Sequence, residues 1–134
     1  MKTAVDSSVL FEIVKGAPGA AAAQAALEAA LAHGSLCVCA VVVAELGRYF
    51  DRSDTLAEFL ADCQIDHEPM SLETALGAAD IMRGYARWPR ERVAPDFLIG
   101  AHAMQQCDAL LKSDGGFFRH YFGGLKVVSP QASA

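Results

Sequence analysis

Lys2-Thr3-Ala4-Val5-Asp6-Ser7-Ser8-Val9-Leu10 changes its periodicity in the middle, and that change decides the fold. The β-branched Thr3 and Val5 suit a short strand, which stops at Asp6. Asp6-Ser7-Ser8 then supplies side-chain oxygens that can satisfy the free N–H groups of a new helix, and the apolar run from Val9 to about Val14 continues it. A strand that feeds directly into a helix is the first half of a β-α-β unit.

The rest of the chain repeats this alternation. Gly16-Ala17-Pro18-Gly19 breaks the first helix, and Ala20–Ala32 predicts a second, with Leu27 and Leu31 one turn apart and His33-Gly34 as its stop. Leu36–Cys39 reads as a buried strand. Val41–Phe50 reads as a helix because Leu46 and Phe50 continue the face begun by Val42 and Val43. Ser53 caps a helix from Asp54 to about Asp62, and Ile65–Pro69 is a short polar strand suited to a sheet edge. Ser71-Leu72-Glu73-Thr74 opens a helix that fades near Tyr85, with Leu72, Leu76, Ala79, Ile81 and Met82 expected inside. After the loop Trp88–Arg92, Pro95 starts a helix carried by Phe97–Gln106; Ala109–Lys112 is a strand, Ser113–Gly116 a turn, and Lys126–Ser129 the last strand after a short aromatic helix. Alternating strands and helices predict an α/β fold, a three-layer α/β/α sandwich on a mainly parallel sheet. One domain is expected over residues 1–134, with the core ending at 130 and a tail at 131–134.

Composition narrows the class. The chain has 134 residues, 53% of them apolar, and a formal net charge of −5. Disorder is excluded by that apolar fraction. No apolar run is long enough to span a membrane, since Gln24 and Glu28 interrupt the alanine-rich stretch. The first residues lack the apolar segment of an export signal, so a cytoplasmic protein is expected. Net acidity ordinarily counts against a nucleic-acid partner. The charge is segregated, however. Residues 1–82 hold four cations and twelve acids, whereas residues 83–126 hold seven cations (Arg83, Arg87, Arg90, Arg92, Lys112, Arg119 and Lys126) and four acids. Such a basic segment can form an anion-binding face, or simply a solvated helix end and loop. Cys37, Cys39, Cys63 and Cys107 contain no C-x-x-C pair, which argues against a structural zinc site and for buried reduced thiols.

Four acids fall at the ends of elements: Asp6 after the first strand, Glu45 inside an apolar helix, Asp96 behind Pro95, and Asp114 just past the Ala109–Lys112 strand. If the first strand and the Ala109–Lys112 strand are neighbours, all four can converge where parallel sheets bind ligands. Clustered carboxylates repel, so such a site raises its pKa values or binds a cation. All-oxygen ligation selects Mg²⁺ or Mn²⁺, and the matching chemistry is phosphodiester hydrolysis. Each acid also has a local explanation. Asp6 can serve as an N-cap, Asp96 can favour a helix start and Asp114 can sit in an ordinary turn. Glu45 is the hardest to explain that way, because a Glu among Val41–Ala44 and Leu46 needs a partner.

Val5-Asp6-Ser7-Ser8-Val9-Leu10, Ala44-Glu45-Leu46, Asp96-Phe97-Leu98-Ile99-Gly100-Ala101-His102-Ala103 and Asp114-Gly115-Gly116-Phe117 resemble, in order, the acidic motifs of PIN-domain ribonucleases. The ending Tyr121–Pro130 and the size look like the VapC toxins of bacterial toxin–antitoxin pairs. The resemblance implies an α/β/α sandwich and an endoribonuclease. It implies that Asp6, Glu45, Asp96 and Asp114 bind Mg²⁺ or Mn²⁺, with Asp6 and Asp96 as direct ligands. A homodimer and a cognate antitoxin partner are implied as well. Two departures stand out. Lys112-Ser113 precedes the fourth acid where many relatives have Thr-Arg, and Gly116 stands where some carry a further acid.

Candidate RNA contacts are Arg87, Arg90, Arg92, Lys112, Ser113 and Arg119, with Trp88 able to stack on a base or pack at the core rim. Phe117, Phe118, Tyr121 and Phe122 recur at helical spacing and read as core, and His102 reads as structural. Ala20–Leu31 together with Val9–Val14 could form a dimer or antitoxin surface, or ordinary core. A phosphatase using Asp6 as nucleophile is the competing enzyme reading, but Ser8 stands where its second carboxylate belongs. A non-catalytic RNA- or protein-binding module of the same fold is the other alternative, and four intact acidic positions speak against it.

Overall fold

Five parallel strands in the order β3-β2-β1-β4-β5 form the centre of the molecule. They are β1 (Lys2–Val5), β2 (Ser35–Val38), β3 (Ile65–His67), β4 (Ala109–Leu111) and β5 (Val127–Val128). The helices are α1 (Ser7–Lys15), α2 (Ala20–Ala32), α3 (Ala40–Leu46), α4 (Ser53–Asp62), α5 (Leu72–Arg83), α6 (Ala94–Gln106) and α7 (Gly116–Tyr121). This computed structural model describes residues 1–85, 94–113 and 116–130. Asp114, Arg87, Arg90, Arg92 and Trp88 lie outside the described residues. Among the described residues no helix is long and apolar enough to cross a membrane.

The strand order follows from the chain's path. It builds outward from β1 to β2 to β3, then returns to the other side of β1 to lay down β4 and β5. Strand direction therefore reverses its progress between β1 and β4, and that gap at the carboxyl ends is where open parallel sheets bind ligands. The register pairs Val5 with Leu111, so Asp6 and Lys112 emerge side by side.

Side-chain alternation assigns the layers. Thr3, Leu111 and Val128 face α2, lining a groove of about 710 Å³ with Ala22, Ala26 and Ala30. Ala4 and its register partner Cys37 therefore face the other way, where α6 brings His102 and the turn after it brings Cys107. Helix α5 packs along the outside of α6. The expected three-layer sandwich is the observed one. Its core joins Val5, Leu36, Val38, Leu110 and Leu111 of the sheet to Val9, Leu10, Phe97 and Phe118 of the helices and to Phe122 just after α7.

Several local expectations need correction. Leu72 and Leu76 are 73% and 55% exposed, and α5 buries Thr74 and Ala78 instead. Ile81 and Met82 pack against the core as expected, so only the first half of the helix departs, where Thr74 is turned inward with its hydroxyl bonded to Gln106 Oε1 (2.8 Å). Helix α3 ends at Leu46 and tightens into a 3₁₀ turn at Gly47–Tyr49, whereas the periodicity carried it to Phe50. Phe50 is extended and packs on Phe59, with centroids 5.4 Å apart. Strand β2 starts one residue early and releases Cys39 to the N-cap of α3. Arg52, not Ser53, occupies the N-cap of α4, and β3 is the polar edge strand foreseen.

Candidate active site

Asp6 is placed by two elements at once. Its backbone N–H donates to the Leu111 carbonyl at 2.9 Å, extending the β1–β4 ladder by one residue. Its carboxylate accepts from the Ser8 N–H at 2.9 Å and caps α1. The residue is only 3% exposed, a costly place for an anion without a cation nearby. Lys112, the first residue after β4, supplies one, with Nζ 3.2 Å from Asp6 Oδ2 and 5.3 Å from the centre of the Phe118 ring.

Glu45 reaches the same place from α3. Ser7 donates its hydroxyl to Glu45 Oε1 at 2.9 Å. Burial pushes the Glu45 carboxyl above the ordinary carboxylate range, the Ser7 bond opposes that rise, and the Asp6 and Asp96 carboxylates add to it. Asp96 lies in the first turn of α6, so three of the four acids read from the sequence share one electrostatic environment. The fourth, Asp114, lies outside the described residues.

Ser113 is held by α1. Its N–H donates to Ser8 Oγ and its hydroxyl donates to Glu12 Oε1, both at 3.2 Å. These bonds fix the chain leaving β4 immediately before Asp114. Arg119 is exposed on the last turn of α7. The sequence reading passed over Ser7 and Glu12 as site-building residues. Ser7 carried a signal, since it follows the strand-ending acid directly; Glu12 becomes legible only once β4 is known to adjoin β1.

The donors at this site suit a hard divalent cation. They are carboxylate oxygens, they carry excess negative charge, and a cationic group already rests against Asp6. One other group draws its candidate ligand atoms closer: among the described residues, only Cys37, Glu68, His102 and Cys107 bring theirs within 4.8 Å of one another. His102 is 1% exposed and bonds Glu68, the structural role expected of it.

Residues 3–123 match the family model of the PIN domain. The chain belongs to the PIN domain family. Solved structures share its architecture. The VapBC2 complex of Rickettsia felis bound to a promoter DNA fragment aligns at 14% identity with a TM-score of 0.74, over 96% of this chain and 98% of that one. A toxin–antitoxin complex from Klebsiella pneumoniae aligns at 17% identity and 0.67, over 98% and 99%. FitAcB from Neisseria gonorrhoeae aligns at 24% identity and 0.66, over 96% and 97%. No curated protein matches the chain in sequence. At these identities the structures establish that the fold is shared.

Proposed function

We propose that this PIN domain is a Mg²⁺- or Mn²⁺-dependent endoribonuclease, acting as the toxin of a toxin–antitoxin pair in the cytoplasm. The observation that carries the reading is the convergence of Asp6 and Glu45, in the field of Asp96, at the switch between β1 and β4. Asp6, Glu45, Asp96 and Asp114 would hold the ion, with Asp6 and Asp96 as direct ligands. The chemistry such an ion supplies is polarisation of a phosphoryl oxygen and activation of water.

The chain's own residues have defined parts in this reading. Ser7 orients Glu45 through Oε1, holding its carboxylate beside Asp6 where it would help to hold the ion. Lys112 offsets the charge of Asp6 before the ion arrives and can then turn toward a substrate phosphate. Ser113 holds the approach to Asp114 against α1. Arg87, Arg90, Arg92 and Arg119, with Lys112 and Ser113, would bind the RNA backbone. An antitoxin partner and a homodimer are proposed from the kinship with toxin–antitoxin structures.

Incubation of a mixed RNA pool with the protein, with and without Mg²⁺ or Mn²⁺, tests the proposal. Metal-dependent internal cleavage that Asp6→Asn and Asp96→Asn both abolish is the expected result. Cleavage unchanged in both variants would refute the site.

A further inference from the structure

A second cluster lies on the α6 side of the sheet, away from the acidic site, and it has different chemistry. Cys37 comes from β2, Glu68 from the residue after β3, His102 from α6 and Cys107 from the turn between α6 and β4. Cys37 Sγ and Cys107 Sγ are 3.3 Å apart, His102 Nε2 and Glu68 Oε1 are 2.9 Å apart, and Cys107 Sγ lies 3.8 Å from Glu68 Oε1. All four ligand atoms lie within 4.8 Å of one another. Four ligands set tetrahedrally around zinc, with metal bonds of about 2.0–2.3 Å, stand about 3.3–3.8 Å apart. These three separations straddle those values and the others stay within 4.8 Å, so movements of about an ångström or less would close the shell.

We infer that Cys37, Glu68, His102 and Cys107 form a structural Zn²⁺ site. Thiolate and imidazole donors select zinc over the hard cations that suit the acidic site. Two thiolates, one carboxylate and one Zn²⁺ leave a single negative charge, and the Lys2 ammonium paired with Glu68 Oε2 cancels it. Gln106 Nε2, 3.3 Å from Glu68 Oε1, adds the outer support that metal carboxylates require. Cys37 and His102 are buried while Glu68 and Cys107 are half-buried, which gives the ion a way in. On binding, both thiols lose their protons to solvent, and the imidazole, which donates from Nε2 to Glu68 Oε1 without metal, shifts its single proton to Nδ1 through solvent, freeing Nε2 for the metal. The closed four-ligand shell would fasten the C-terminal end of α6 to β2 and to the edge strand. Asp96 lies at the opposite end of α6, about 16 Å away along the helix axis.

The test uses the full chain, reduced and stripped of metal, titrated with Co²⁺ and then Zn²⁺. One equivalent of Co²⁺ should produce a thiolate-to-cobalt charge-transfer band with intense tetrahedral visible bands, and Zn²⁺ should erase both. The acidic site has only oxygen donors and cannot produce the charge-transfer band. Saturating Zn²⁺ should raise the thermal midpoint by roughly 5 °C or more. Cys107→Ser should lose the band and at least about tenfold in Zn²⁺ affinity, while Cys63→Ser, which alters a cysteine outside the cluster, should keep both. Absence of the charge-transfer band in the wild-type chain would overturn the inference whatever the variants do. So would loss of the band in Cys63→Ser, or a Cys37–Cys107 disulfide that forms as fast with Zn²⁺ as without it.

Discussion

Lys112 shows how a single residue can stand in for an ion. Its ammonium lies 3.2 Å from Asp6 Oδ2, and both side chains are largely out of solvent. Lys112→Met should therefore lower stability in metal-free buffer by about 1.5–3 kcal/mol, as expected for a hydrogen bond to a buried charge. Mg²⁺ should restore more stability to that variant than to the wild type, because the ion takes over neutralisation of Asp6. Denaturant unfolding with Mg²⁺ and with chelator measures both effects, and an identical Mg²⁺ increment in the two proteins would refute the argument. Glu45→Gln makes the complementary case. Burial and two neighbouring carboxylates disfavour the charged form of Glu45, so the neutral amide should raise the metal-free melting temperature while removing cleavage. A fall in melting temperature would mean that the Ser7 bond outweighs the repulsion. At this scale the sequence was informative where an acid was locally out of place, as Glu45 is. It was uninformative about Glu12, whose partner Ser113 is distant in the chain.

Among the elements, α6 matters most because it carries Asp96 at one end and the His102 cluster at the other. Its seat depends on Gly100, where an added Cβ would stand 2.3 Å from the buried Phe122 ring. Helix propensity favours alanine over glycine by about 1 kcal/mol, but overpacking a filled core costs about 1–3 kcal/mol. With so close a contact, the steric term should win. Gly100→Ala should unfold at lower denaturant concentration and cleave RNA more slowly through displacement of Asp96; a stabilised variant would show that Phe122 can yield. The presence and order of α6 and of the strands were readable because capping, proline placement and β-branching are local, although β2 shifts by one residue and β3, β4 and β5 are shorter than expected. The inward face of the first half of α5 was not, because the Thr74 hydroxyl bond to Gln106 outweighed the apolar period of Leu72 and Leu76. The cysteine–histidine group was hidden for a related reason, since its members come from four places in the chain and no spacing motif joins them.

Across the whole molecule, the net charge of −5 conceals a segregated distribution. Part of the acidity is gathered at the strand switch, and most of the cations lie in residues 83–126. Arg87→Ala and Arg90→Ala should each weaken RNA binding and lower the slope of log affinity against log salt by about 0.7–1. Metal binding should be unaffected. An unchanged slope, measured by anisotropy over a salt series, would remove these arginines from the binding surface. The alternation of elements implied a mainly parallel sheet but not its strand order; the observed β1–β4 pairing meets the condition under which the acids could converge, and it sets Asp6 near Glu45 in the field of Asp96.

The most direct test joins the two halves of that claim in one sample: Mn²⁺ binding by the wild type and by Asp96→Asn, measured alongside the rate of RNA cleavage as Mn²⁺ is raised. Cleavage should be absent in chelator and should rise with occupancy of a site that the substitution weakens by at least about tenfold. Cleavage that proceeds in chelator, or full activity in Asp96→Asn at wild-type Mn²⁺ affinity, would contradict it.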